Sequence, residues 1–253
     1  MRKAVLYGLL PVLLMPLLAC GPLQFERTPI PGESRQMLLV IGDGVDQNSG
    51  RMQRFERRSA REMWQPVGVS YPVTLGRNGL AWGRGLHTIN PGQRPVKREG
   101  DGRSPAGIFT LGEAFGTDSL SPNLKLDYLP IVPGMEGVDD PASRYYNQII
   151  SRDSIAHPDW TSSEVLSRYP VAYALGVVVQ HNTTAVRAGA GSLIFIHIQS
   201  SPGKPTAGCT AMTLPDMRET AQWLDASEVP VLVQLPWPWY RNLRLIWALP
   251  RLR

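Results

Sequence analysis

One thiol and one imidazole stand out by type and spacing. His197 closes the apolar run Ile194-Phe195-Ile196-His197, and Cys209 follows after eleven intervening residues that include Pro202, Gly203, Pro205 and Gly208. Such a pair can run nucleophilic acyl transfer. The histidine takes the thiol proton, the sulfur attacks a carbonyl carbon, and backbone N–H groups stabilise the oxyanion. A loop with these glycines and prolines can fold back and bring the thiol to the ring. Gly208 lets the backbone come close to a substrate, which makes the Gly208 and Cys209 amides natural oxyanion donors. An imidazolium beside the thiol would lower its titration point below the ordinary value of about 8.5. His181 ends the preceding apolar run and also could reach the cleft, but loop length favours His197 as the base. His87 and His157 have no supporting context and read as packing or surface residues. With four histidines at unrelated spacings, a tetrahedral zinc site is disfavoured, and no cofactor is implied.

The cysteine count sharpens the case. The chain has two cysteines, and the other, Cys20, ends Leu17-Leu18-Ala19-Cys20. Arg2 and Lys3 followed by the apolar stretch to Ala19 describe a secretory signal over residues 1–19, too short for a membrane span. Leu-x-Ala-Cys resembles a bacterial lipobox, in which the cysteine carries lipid and becomes the first mature residue. Gly21 resembles the sorting context for the outer membrane, so a periplasmic, membrane-anchored lipoprotein is expected; the alternative is an ordinary signal peptide cleaved nearby, with Cys20 incidental. Cys209 is then the one thiol of the folded domain, free in an oxidising compartment.

The elements that must position this pair are mostly strands. With 24 Gly and 23 Pro in 253 residues, the chain is turn-rich. Residues 20–35 read as a tether. Gln36–Ile41 reads as a buried strand, Arg51–Arg57 as a strand with one wet face, and Trp64–Val73 as short pieces broken by Pro66 and Pro72. Ile108–Leu111 is a short strand after a glycine- and charge-rich stretch. Residues 117–160 look like loop, and Ser162 or Ser163 could cap a short helix through Arg168. Tyr173–His181 and Gly191–Gln199 are apolar runs, the second greasy on both faces and so a central strand. Thr213-Leu-Pro-Asp216 has the form of a capping box opening a helix with Leu214, Met217, Ala221 and Leu224 at helical spacing. Pro230–Leu235 is a last strand. The tail over 236–253 mixes tryptophan, leucine and arginine; it could lie on a membrane surface or pack on the domain.

The net charge of +5 falls by two once Arg2 and Lys3 are removed. The remaining cations are scattered, and the nearest approach to a cluster, Arg51 to Arg61, is interrupted by Glu56 and Glu62. No basic stripe or module supports nucleic-acid binding. A weak attraction to anionic wall polymers or membrane surfaces is what this charge supports.

Ile194-Phe195-Ile196-His197 followed by Pro205-Thr206-Ala207-Gly208-Cys209-Thr210-Ala211-Met212 resembles the L,D-transpeptidase catalytic domain, the YkuD-like family. Gly76–Gly83, Lys97–Gly107, Asp139-Asp140-Pro141, Tyr146-Asn147 and Gln180-His181-Asn182 resemble the same family, in one order over residues 36–235. The resemblance implies a mainly β fold, a β-rich α+β domain of two sheets with a few short helices. It implies a reaction on peptidoglycan stem peptides, with loss of D-alanine, a thioester on Cys209, and a 3→3 cross-link when a second stem's amine resolves it. His197 would be base and later acid, steadied by a nearby backbone carbonyl, and the amides of Ala207, Gly208 and Cys209 would form the oxyanion hole. Thr206, His181, Arg98 and Arg103 are candidates for contact with substrate. Many relatives carry Ser-His-Gly-Cys and a polar residue two places beyond the cysteine, where this chain has Thr206-Ala207-Gly208-Cys209 and Ala211. Three activities therefore remain: a transpeptidase, a hydrolase of the same chemistry (carboxypeptidase or amidase), and a wall-binding lipoprotein without catalysis. Oligomeric state is not legible.

Overall fold

The computed structural model describes residues 28–88, 94–117 and 124–252. Residues 1–19, Cys20 and the first part of the tether lie outside the described residues.

Apolar runs form the strands, as expected for a mainly β chain. β1 (Gln36–Gly42) pairs antiparallel with β2 (Ser49–Glu56), and β2 with β3 (Gln65–Thr74). The 64–73 stretch is one strand rather than broken pieces, because a register slip between Met52 and Arg54 absorbs its irregularity. β4 (Leu80–Trp82) lies parallel on β5 (Ser104–Gly116). That strand runs thirteen residues, far beyond the short piece expected at 108–111. β10 (Gly176–Val179), β11 (Phe195–Ile198) and β12 (Thr210–Met212) follow, and β13 (Val231–Pro236) returns to lie parallel with β1, Met37 opposite Val231. The order β10-β11-β12-β3-β2-β1-β13-β5 closes on itself where β5 pairs with β10.

α1 (Leu214–Trp223) begins at the expected capping box, with the Thr213 hydroxyl accepting from the Asp216 amide at 3.4 Å. It packs against strands from across the ring: Thr220 meets Tyr71 of β3 at 2.6 Å, and Gln36 of β1 donates to the Trp223 carbonyl at 2.8 Å. The tail does not stand away from the domain. α2 (Trp237–Leu243) packs on β1 and β13, and Trp239 stacks on Trp82 at 4.3 Å.

The segment expected to be loop is instead a second sheet. β7 (Met135–Val138) is central, between β8 (Ile149–Ser151) and β9 (Ser163–Val165), while β6 (Tyr128–Pro130) joins β5. The helix expected from Ser162 or Ser163 is overridden by this pairing: Ser163–Val165 is strand, and only a single 3-10 turn, Leu166–Arg168, follows.

Even and odd residues of β11 feed two separate cores. Ile194, Ile196 and Ile198 join Met212 and α1 in the main core. Phe195 and Cys209 face the other way, into a smaller core with Phe115, Leu166, Tyr173 and Met135. The three-stranded sheet therefore roofs the face of β11 and β12 that carries the thiol.

Candidate active site

The register of two parallel strands sets the geometry. His197 of β11 lies opposite Ala211 of β12, and Ile196 opposite Thr210. Cys209, two residues before Ala211, therefore shares a face with His197 as its diagonal neighbour, since side chains alternate along a strand. Both are buried, Cys209 at 9% exposure and His197 at 8%.

The backbone around Cys209 is pinned from two sides. Its carbonyl accepts from Thr206 Oγ1 at 2.6 Å and from Ser104 Oγ at 2.7 Å, while Thr206 Oγ1 accepts from the Gly208 amide at 3.1 Å. Thr206 thus holds the turn through its hydroxyl. The Gly208 amide is engaged in the same turn, whereas no hydrogen bond of this kind holds the Ala207 amide among the described residues. A side chain at Gly208 would press on the Arg103 carbonyl at 3.2 Å, so the bare backbone serves close packing here.

The thiol sits against the start of β11. Sγ accepts from the Phe195 amide at 3.3 Å and faces the Leu193 carbonyl at 3.5 Å; these, and not His197, are its hydrogen-bond partners. Leu193 holds the left-handed conformation at φ 52°, an unusual backbone for a branched side chain. Asn147 secures it: Oδ1 accepts from the Leu193 amide at 2.9 Å, and Nδ2 donates to the carbonyls of His181 and Asn182 at 3.0 Å each. The Tyr146-Asn147 and His181-Asn182 pairs noted in the sequence thus tie the roof to the loop before β11.

His197 Nδ1 lies 2.8 Å from the Ile198 carbonyl. A ring N–H donated there leaves Nε2 as the free base. The Tyr173 ring stands edge-on to His197 at 5.4 Å, and its hydroxyl donates to Glu164 at 2.7 Å. Burial pushes the Cys209 thiol up to about 12, and the Glu164 carboxylate adds to that rise. Burial also lowers His197 from its ordinary value. The pair rests as neutral thiol and neutral imidazole, not as the lowered thiol that an imidazolium would produce.

The other expected contacts resolve differently. His181 is buried, with its ring edge-on to Phe109 of the main core. Its Nδ1 accepts from the Arg84 amide at 3.2 Å, its Nε2 meets the Ala190 carbonyl at 3.0 Å, and burial lowers it to about 3. Both its nitrogens are thereby engaged. Arg103 reaches away to Asp46 at 2.7 Å and to the Leu80 carbonyl at 3.1 Å. Arg98 is exposed, and its backbone amide donates to Asp101 at 2.9 Å. His87 is a packing residue, and His157 is exposed.

Three residues near the thiol escaped the sequence reading: Glu164, Tyr173 and Lys97. Lys97 is buried, bound to Asp101 at 2.6 Å, with its ammonium 3.8 Å from where a Gly208 side chain would begin. It belongs to the charged stretch singled out in the sequence, but nothing there ranked it above Arg98 or Arg103.

Residues 45–233 match the family model for the L,D-transpeptidase catalytic domain, YkuD. No curated protein matches the chain. Among solved structures, the crystal structure of the helical cell shape determining protein Pgp2 from Campylobacter jejuni is similar at 13% identity and a TM-score of 0.38. The alignment covers 79% of this chain and 48% of that one, so the chain spans about half the length of that protein. The family match covers well over half of the chain and contains the paired strands that carry His197 and Cys209, and on that ground the chain belongs to the L,D-transpeptidase catalytic domain family.

Proposed function

We propose that this chain is a peptidoglycan L,D-transpeptidase that works through a thioester on Cys209. The observation that carries the reading is the placement of Cys209 and His197 on one face of adjacent parallel strands, with His197 Nδ1 held by the Ile198 carbonyl. Membership of the family supports the substrate, the tetrapeptide stem of the wall.

In the proposed reaction Cys209 turns from the Phe195 amide toward His197 Nε2. The thiol proton passes to Nε2 as the sulfur bonds to the carbonyl carbon of the bond before D-alanine. A neutral pair makes this transfer part of the attack, because a free thiolate is too rare in this site. The Ala207 and Cys209 amides face the oxyanion. Collapse breaks the C–N bond, the imidazolium returns its proton to the departing D-alanine amine, and a thioester remains. The amine of a second stem then attacks the thioester, loses its proton to His197, and leaves a 3→3 link with the thiol restored.

Incubation with disaccharide-tetrapeptide, followed by mass spectrometry, tests this. The expected product is a dimer that has lost one D-alanine, and Cys209→Ala abolishes it. Tripeptide alone would replace the transferase by a hydrolase, and full activity in Cys209→Ala would end the mechanism. We further propose export to the periplasm with a lipid on Cys20 anchoring the chain to the outer membrane. Metabolic labelling with a fatty acid should mark the parent chain and fail in Cys20→Ala; equal labelling of both would overturn the anchor.

A further inference from the structure

The C-terminal segment has two faces of different character. The inner face is fixed: Trp247 meets Trp82 edge-on at 6.2 Å, and Leu249 is buried in the main core. The outer face leaves Leu245 at 78% and Ile246 at 50% exposure. Leu245 borders a groove of about 1480 Å³ whose other wall, from the turn after β2, presents Met63 at 80% exposure. Five arginines line that groove, among them Arg61, Arg244 and Arg251, against two acids, Asp43 and Glu62. Those three arginines take part in none of the ion pairs recorded among the described residues.

Apolar tips set among cations on a rigid base suit one environment in particular. At the surface of an anionic bilayer the tips enter the acyl boundary while guanidinium groups meet phosphates. Water around a single exposed leucine is ordinary, but Met63, Leu245 and the arginines border one groove, and Ile246 adjoins it.

A second observation is independent of composition. Thr28, where the described chain begins, lines the same groove, and its hydroxyl donates to the Trp247 carbonyl at 2.7 Å. The chain therefore enters the described fold at this face, with 27 residues upstream of it. A membrane anchor on that segment would hold this groove near the bilayer.

We infer that the face formed by the 61–63 turn and residues 244–251 is a docking surface for an anionic phospholipid bilayer. It lies on β1, β2 and the tail, apart from the β11–β12 face, so it would orient the domain on a membrane without involving Cys209 or His197. It acts in addition to a lipid on Cys20 and does not need one.

The test uses the chain from residue 20 with Cys20→Ser, which keeps every described residue. Co-sedimentation is measured with vesicles of phosphatidylethanolamine and phosphatidylglycerol, and with vesicles of phosphatidylcholine alone. Stronger binding to the anionic vesicles, weakened by salt, is expected. Arg244→Glu with Arg251→Glu should lower it about tenfold or more. Leu245→Ser with Ile246→Ser should weaken it too, and Met63→Ser, on the opposite wall, should do the same without touching the tail. Equal binding to both vesicle types, or variants that bind like the parent, would overturn the inference. A dimer that dissociates in the Leu245→Ser, Ile246→Ser chain would assign the face to a second copy instead. Acyl transfer on the soluble disaccharide-tetrapeptide, measured on the same samples, should be unchanged, which separates failure of this surface from failure of the catalytic reading.

Discussion

Burial and the Glu164 carboxylate together push the Cys209 thiol up to about 12, while burial pushes His197 down. Both shifts disfavour the charged forms, so the resting site stores no ion pair. The expected consequence is a thiol that is sluggish toward reagents needing a thiolate. Alkylation by iodoacetamide at pH 8 should run about a hundredfold or more slower than that of a free cysteine, whose titration point is near 8.5. Removing the Glu164 charge lowers the thiol's titration point, so Glu164→Gln should speed alkylation; an unchanged rate would show that burial acts alone. A guarded thiol should also resist oxidation, since oxidation follows thiolate character and exposure. The closeness of Cys209 to His197 was legible because a short loop joins the two strands that carry them. That of Glu164 and Tyr173 was not. Glu164 comes near the thiol from β9 of the roof and Tyr173 from the turn before β10, a proximity that only the folded chain creates.

At the scale of elements, the roof governs access. A side chain at Gly137, in the middle strand of the roof, would stand 2.6 Å from Leu193 Cδ1, and the Leu193 carbonyl faces Cys209 Sγ. Gly137→Ala should therefore lift the roof from β11. Thermal melting should fall by several degrees, while Cys209 alkylation should accelerate; loss of stability with the thiol still shielded would show that the roof is not the barrier. This sheet escaped the sequence reading for a physical reason. Its strands are three or four residues long, and polar ties fix them: Glu136 accepts from Trp160 at 2.9 Å and from Ser163 at 2.7 Å. No apolar period marks such strands. β1, β11 and β13 lie within continuous apolar runs, and α1 has its cap, so those were visible beforehand. The tail offered two readings, and its aromatic stack on Trp82 shows that its inner side packs on the domain.

For the whole molecule, His87 and His181 contribute to the response to acid, beside His197, which burial also lowers. His87 is lowered to about 4 and His181 to about 3, in each case mainly by burial. The folded chain resists protonating them, whereas the unfolded chain takes protons below about 6.5. Stability is therefore full above about pH 6.5 and declines as the pH falls toward 4, by about 1.4 kcal/mol per pH unit for each histidine. Melting temperatures recorded from pH 7 to pH 4 should drop steadily in that window; a flat profile would mean that one ring finds a compensating partner on protonation. The ring of strands has a further consequence, in the order of assembly. β1 is made first among the strands but lies beside β13, made last, with Met37 opposite Val231. Its other neighbour, β2, can form a hairpin early, yet the circle stays open until nearly the whole chain has been synthesised. A nascent chain of this design cannot close its ring until the last strand has arrived.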